Sequence, residues 1–254
     1  MRLQVPHSIA RMTVRLLLAR PLFARGLGAL ATVLGLMLFA PAASATPFDD
    51  AVVAFQSGDY PTALVLFTPL AEAGDSLSQH NIGVMYEEGL GVAQDNAMAL
   101  AWYKRAAEQG NPQSTYKIGL MILEGRGAGP DPVVAAQWVR ISADLGFPPA
   151  QHTLAHFYLE GTGVEQNINE AITWYSKAAE AGVVDAQFNL GYIFETGGGV
   201  EPDPIVAYAW YRIAAASGDL EATNAAEQIG AQLPQDLREA ADLDVADWLA
   251  AHGR

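Results

Sequence analysis

Two histidines are the clearest candidates for metal binding in this sequence. His152 and His156 are four residues apart, so a helix would place both imidazole rings on one face, and imidazole is a common ligand of zinc. The residues between them include no glutamate, which a metalloprotease of the HExxH type needs as its general base. Packing is therefore the favoured role of these histidines, and the sequence predicts neither a metal nor a cofactor.

Pairs of neighbouring aromatic residues are the second candidate, for carbohydrate binding. They are Trp102, Tyr103, Trp174, Tyr175, Trp210 and Tyr211. A strip of exposed rings would suit a carbohydrate or cell-wall binding module, whereas buried rings would serve packing between structural units. Because the pairs recur at a fixed spacing, packing is the favoured interpretation. Burial of the tryptophans would favour packing, and their exposure would favour carbohydrate binding.

Gly-x-Gly pairs are the third candidate, because glycine-rich loops can cradle phosphate. A nucleotide-binding fingerprint needs a preceding strand and another glycine spacing, whereas these pairs recur four times between helical patterns. They predict turns. The chain has no cysteine, and no Ser/His/Asp arrangement or paired carboxylates stand out. We therefore predict that the protein is not an enzyme, and no small-molecule substrate is evident.

The elements that carry these residues repeat every 36 positions. Tryptophan recurs at this spacing, at Trp102, Trp138, Trp174 and Trp210. Glycine recurs at the same spacing, at Gly74, Gly110, Gly146, Gly182 and Gly218. A fixed period of this length indicates a solenoid or a propeller. Apolar residues at steps of three and four, such as Ala186, Leu190 and Ile193, decide for helices.

Helix start and stop signals agree with this interpretation. Residues that cap helix N-termini stand before the second helix of each unit, at Asp95, Asp131, Asn167 and Asp203. Pro132 and Pro204 follow at the first helical position, and the glycine series beginning at Gly74 stands where that helix should end. Each unit is predicted to be a helix, a glycine-rich turn, a helix and a second turn.

The best copies read NIGVMYEEGLGVAQDNAMALAWYKRAAEQG (81–110) and NLGYIFETGGGVEPDPIVAYAWYRIAAASG (189–218). They resemble the Sel1-like repeat family, a branch of the tetratricopeptide-like solenoids. The resemblance implies an all-α fold, a right-handed α-solenoid. The repeat pattern fades after Gly218 and an amphipathic helix follows, which predicts a C-terminal capping helix, with a partner-binding tail as the alternative. The resemblance divides the chain into a degenerate repeat at 46–74, four full repeats at 75–218 and capping helices at 219–254. Ala155 and Val139 depart from the family pattern but remain apolar.

The same resemblance implies a protein or peptide partner bound on the concave face, which the first helix of each unit lines. Carried over position by position, the candidate binding residues are Asn81, Lys117, Thr153 and Asn189. Amide and ammonium groups there can bind a peptide backbone or carboxylate. An ordinary solvated helix face is the alternative. The resemblance is compatible with a scaffold or adaptor in envelope signalling or envelope assembly.

Residues 1–45 predict export. Arginines precede an apolar stretch from 26 to 40, and the small residues Ala43, Ser44 and Ala45 predict cleavage before Thr46. An uncleaved membrane anchor and a start at Met12 are alternatives. If the signal peptide is cleaved, the protein contacts the membrane only during export. The mature protein would be periplasmic or secreted and would hold nine basic and 28 acidic residues, a net charge of about −19. That charge disfavours nucleic-acid binding.

Overall fold

The described part of the chain is entirely helical. The computed structural model describes residues 46–127 and 129–253, and the predicted signal peptide lies outside these residues. Within them are α1 (Pro47–Gln56), α2 (Tyr60–Glu72), α3 (Ser76–Glu88), α4 (Asn96–Ala107), α5 (Pro112–Leu123), α6 (Pro132–Asp144), α7 (Pro148–Glu160), α8 (Ile168–Glu180), α9 (Val184–Thr196), α10 (Pro204–Ala215), α11 (Leu220–Gln232) and α12 (Gln235–Ala251). The all-α prediction is confirmed. No helix in these ranges has the length and apolar character needed to cross a membrane.

The helices stack in sequence order, as in a solenoid. Consecutive helices from α1 to α11 pack on each other, whereas α12 packs on α10. Contacts therefore join neighbouring units, and stability accumulates from unit to unit. On α12, Ala241, Val245 and Trp248 are buried, and the Trp248 ring meets the Trp210 ring edge-on at a centroid distance of 6.0 Å.

The predicted helix boundaries are confirmed. At the start of α4, α6, α8 and α10, the side chain of Asp95, Asp131, Asn167 or Asp203 accepts two backbone N–H groups at 2.9–3.2 Å. These bonds satisfy donors that the helix itself leaves free. The glycine series beginning at Gly74 has φ between +79° and +103°, the left-handed conformation that closes a helix.

A buried aromatic ring fills the space between the two helices of a unit. Tyr103 on α4 and Tyr211 on α10 are buried, and each lies over a glycine of the preceding helix. A Cβ atom at Gly83 would come within 2.5 Å of the Tyr103 ring, and one at Gly191 within 2.7 Å of the Tyr211 ring. The helix glycine therefore makes room for the tyrosine of the same unit.

The second glycine of each Gly-x-Gly pair lies against the preceding unit. A Cβ at Gly91 would come within 2.6 Å of the Tyr60 carbonyl carbon, and one at Gly163 would overlap the Pro132 carbonyl. Tyr60 and Pro132 are the first residues of α2 and α6. These glycines serve close backbone approach between units, which is the turn role predicted from the sequence.

This contact can be tested with two glycines of similar φ. Gly163 and Gly218 have φ of +68° and +90°, but a Cβ at Gly218 meets nothing within 4 Å. Gly218→Ala should lower the free energy of unfolding by about 1–2 kcal/mol, the cost of the left-handed conformation. Gly163→Ala should lose a further ~2 kcal/mol because the backbone of α6 must move. Urea unfolding measures both, and equal losses would show that the turn does not depend on this approach.

Candidate partner-binding face

Hydrogen bonds join the first helices of successive units along one surface. His80 on α3 bonds Ser114 on α5 at 2.8 Å, Tyr116 on α5 bonds Thr153 on α7 at 2.9 Å, and Asn189 on α9 donates to His152 on α7 at 3.2 Å. We call this surface of α3, α5, α7 and α9 the first-helix face. It runs across all four full units.

The four candidate binding residues lie on this face, one on each helix. Asn81, Lys117, Thr153 and Asn189 are all partly exposed. Thr153 and Asn189 take part in the bonds just described, and Asn81 has no side-chain hydrogen bond within the described residues. Lys117 differs, because its ammonium group contacts both carboxylate oxygens of Glu87 at 3.0 and 3.2 Å. Lys117 is therefore part of a structural ion pair.

Glu87 is the centre of a charged cluster that links the first two full units. Its side chain is 1% exposed. It accepts hydrogen bonds from the Tyr103 hydroxyl at 2.5 Å and from Nη1 of Arg126 at 2.7 Å, in addition to Lys117. Arg126 also pairs with Glu124 through Nε at 2.6 Å. Every oxygen of the buried carboxylate is thus bound, as a buried charge requires.

The cluster holds Glu87 in its charged form. Burial on its own would raise the pKa of Glu87, but the hydrogen bonds from Tyr103, Lys117 and Arg126 outweigh it, so the pKa lies below its usual value. Burial and the hydrogen bond to Glu87 raise the pKa of Tyr103, which keeps the hydroxyl a donor. Sequence analysis missed Glu87 because its position holds Leu123 and Leu159 in the next two units.

Position 87 recurs as glutamate once more, at Glu195 in the last full unit. The Tyr211 hydroxyl donates to Glu195 at 2.7 Å, repeating the Tyr103–Glu87 bond. In the third full unit the tyrosine is present as Tyr175, but Leu159 stands at the position of the glutamate. The hydroxyl of Tyr175 is buried and has no hydrogen bond of good geometry. Burial and the charge of Glu160 raise its pKa to about 12, against the opposing effect of the nearby Asn189 side chain.

The two candidate metal ligands lie in different surroundings. His152 is partly buried and binds Asn189, whereas His156 is exposed. Burial lowers the pKa of His152, against the charge of Asp185, and the neighbouring His156 lowers it further. Among residues 46–127 and 129–253, no group of three or more His, Asp or Glu side chains is placed to hold a metal ion.

The aromatic pairs are largely interior. The three tyrosines are at most 1% exposed, and Trp174 and Trp210 are 5% and 1% exposed. Trp102 is partly exposed but packs against the core and lies under the Arg105 guanidinium at 4.4 Å. These residues provide no continuous strip of exposed rings for sugars. Exposed rings were the feature that would favour a carbohydrate-binding module.

A cleft of about 720 Å³ opens at the C-terminal end, between α10, α11 and α12. Its small side chains include Ala226 and Gly230. At its edge Arg212 bonds the Tyr208 hydroxyl at 2.8 Å and Asp242 at 2.9 Å, and the Tyr208 hydroxyl donates to Asp242 at 2.9 Å. This closed triangle ties α12 to α10 and leaves Arg212 engaged.

The tyrosines give a matched test of the cluster. Tyr103→Phe removes a hydrogen bond to a buried charge and should lower the free energy of unfolding by about 1.5–3 kcal/mol. Tyr175→Phe removes a buried hydroxyl that has no hydrogen bond, so it should change that free energy by less than ~0.5 kcal/mol or raise it. Chemical denaturation of both variants measures the difference, and equal losses would contradict the assigned role of Glu87.

Acid stability should depend on His80. Burial first, and then the charge of Lys117, lowers the pKa of His80 from 6.5 to about 4, against the opposing charge of Glu87. The unfolded chain therefore takes up the proton first as the pH falls. Stability from this group is present above pH 6.5 and should fall by about 1–2 kcal/mol between pH 7 and pH 5.

The measurement is the free energy of unfolding at the two pH values. His80→Phe, which places at position 80 the residue found at Phe188, should reduce the loss on acidification. His156→Gln, at an exposed histidine, is the control and should retain most of it. An undiminished loss in His80→Phe would show that other groups cause the acid sensitivity.

Comparisons with known proteins agree with the repeat. The Sel1 repeat profile matches residues 76–111, 112–147, 148–183 and 184–219. A Sel1 repeat protein from Oxalobacter formigenes is 28% identical, with a TM-score of 0.69 over 78% of this chain and 84% of that protein.

A protective antigen present in uropathogenic Escherichia coli strains, which displays an SLR fold, is 31% identical with a TM-score of 0.67. That likeness covers 81% of this chain but only 47% of the antigen. The search of curated proteins gave no significant match. Because four consecutive repeats match the profile over more than half of the chain, the protein belongs to the Sel1 repeat family.

Proposed function

We propose that the protein is an exported scaffold that binds a protein or peptide partner along the first-helix face. Sel1 repeat proteins generally serve as scaffolds for protein–protein interaction. The observation that carries the proposal is the row of partly exposed polar side chains at one position of the first helix in four successive units. Regularly spaced amide and hydroxyl groups can bind the backbone of an extended segment.

The residues of the row have different roles in this proposal. Asn81 has a free side-chain amide within the described residues, and Asn189 and Thr153 keep unused donor or acceptor capacity beyond one bond each. These three contact the partner. Lys117 acts through Glu87, because its charge is already bound there, and it fixes the relative position of α3 and α5. The face beside the row carries the exposed side chains of His156 and Tyr192.

The proposed role is non-enzymatic, and the proposed location follows from the predicted signal peptide. Export would place the scaffold in the periplasm or outside the cell, where the basic surface of an envelope protein would be attracted to its acidic residues. A role in envelope signalling or envelope assembly is the corresponding proposal. No observation on the described residues favours carbohydrate binding as a second function.

The proposal predicts that two asparagines on the face are needed for partner binding. Asn81→Ala with Asn189→Ala should reduce retention of a protein from an envelope extract at least about tenfold, since two hydrogen-bonding groups are lost. The control double variant is Gln137→Ala with Glu180→Ala, at exposed positions of the second helices α6 and α8.

Quantitative mass spectrometry of the captured proteins is the readout, with the melting temperature of each variant measured beside it. The control should retain the wild-type partner, and both doubles should remain folded. Equal capture by the asparagine double and the wild type, or equal loss in both doubles, would refute the assignment of the first-helix face.

A further inference from the structure

Glu87 and Glu195 are the same position of the repeat in two different surroundings. Each carboxylate accepts a hydrogen bond from the tyrosine of its own unit, at 2.5 Å from Tyr103 and 2.7 Å from Tyr211. Glu87 is buried, and Glu195 is exposed. The tyrosine therefore orients both carboxylates in the same way, while only one of them is covered.

The difference lies in what the following unit supplies. Glu87 receives Lys117 from the next first helix and Arg126 from the loop after it. The corresponding positions after Glu195 hold Ala225 and Pro234, which carry no charge. Within the described residues no cation pairs with Glu195, and Arg212, its nearest arginine in sequence, is bound to Asp242.

We infer that Glu195 and Tyr211 form a receptor site for the cationic side chain of a partner protein, with an arginine as the occupant. The Glu87 cluster shows the bound arrangement within the same molecule. There a guanidinium Nη1 lies 2.7 Å from the carboxylate oxygen, and it is presented by the Gly125-Arg126-Gly127 loop. The partner presents an arginine from a comparable loop or extended segment, so that its guanidinium lies beside Glu195 as that of Arg126 lies beside Glu87.

The surroundings of Glu195 fit a guanidinium. Tyr192 lies one helical turn earlier on α9 and is 54% exposed, so its ring is available for a planar cation to stack on. Burial and the charge of Glu195 raise the pKa of Tyr211, so its hydroxyl remains a donor that orients the carboxylate. The chain has 28 acidic and 14 basic residues, which favours approach of a basic partner.

This site is independent of the asparagine row in the proposed function. A scaffold could bind through Asn81 and Asn189 without it, and a failed capture experiment would leave it untouched. The site accounts for a detail that the first and last full units share and that packing does not need, a carboxylate oriented by a tyrosine, which in the last unit has no cation beside it within the described residues.

The experiment uses a probe copied from the protein itself. The peptide acetyl-Gly-Arg-Gly-amide, which reproduces residues 125–127, is titrated into the full-length protein while the backbone amide resonances of Glu195 and Tyr211 are followed by NMR. The neutral peptide acetyl-Gly-Gln-Gly-amide is the probe control. We expect saturable shifts at these two residues with the arginine peptide, and none with the glutamine peptide.

Two variants separate this site from general attraction to an acidic surface. Glu195→Gln should weaken the response by about two- to fivefold, whereas Glu160→Gln, at an exposed glutamate with no tyrosine bond, should leave it unchanged. Ala225→Lys places a lysine where Lys117 stands relative to Glu87. It should fill the site, abolish the peptide response and raise the melting temperature by roughly 1–3 °C.

Several outcomes would overturn the inference. Equal responses in wild type and Glu195→Gln would mean that the peptide binds elsewhere, and an unchanged response in the folded Ala225→Lys variant would mean that Glu195 does not act as Glu87 does. Concentration-dependent dimerisation that Glu195→Gln abolishes would make a second copy of this chain the occupant instead of a partner protein.

Discussion

Each helix pair of this protein has an apolar face that only the next pair can cover. The close approach needed for that cover depends on glycines at two places. Inside a unit, Gly83 and Gly191 make room for the rings of Tyr103 and Tyr211. Between units, Gly163 brings a turn onto the backbone of the preceding second helix. The array ends where a helix without the repeat pattern, α12, covers the last aromatic residue with Trp248.

The repeated units can be compared with one another, because the same position lies in different surroundings in each unit. The same tyrosine position meets a fully neutralised glutamate in the first full unit, a leucine in the third and an exposed glutamate in the fourth. Packing accepts all three, because the ring alone fills the space over the preceding helix. The polar atoms can therefore differ between units without changing the fold, and what differs between the units must be explained by something other than packing.

Much of the fold could be predicted because it depends on local signals that recur. Asp95 and its equivalents cap helices through bonds to residues two and three positions later, so a single sequence contains everything needed to place them. The charged cluster could not be predicted in this way. Glu87 meets Lys117 and Arg126, which lie 30 and 39 residues further along the chain, and their pairing requires the stacking of two units. For the same reason, the sequence could not show that Lys117, a predicted binding residue, pairs with Glu87.

Function in such an array is most readily sought where a unit departs from its neighbours. A residue kept in every unit has to satisfy the contacts of every unit, which leaves little freedom for recognising one partner. Glu195 occupies the same repeat position as Glu87. The positions of the two cations that neutralise Glu87 hold Ala225 and Pro234 after Glu195. The last full unit therefore retains the tyrosine–glutamate part of an arrangement that is complete, with its two cations, in the first full unit. An oriented carboxylate in that position is suited to a cation from outside the chain, because the geometry is already fixed by Tyr211 before any partner arrives.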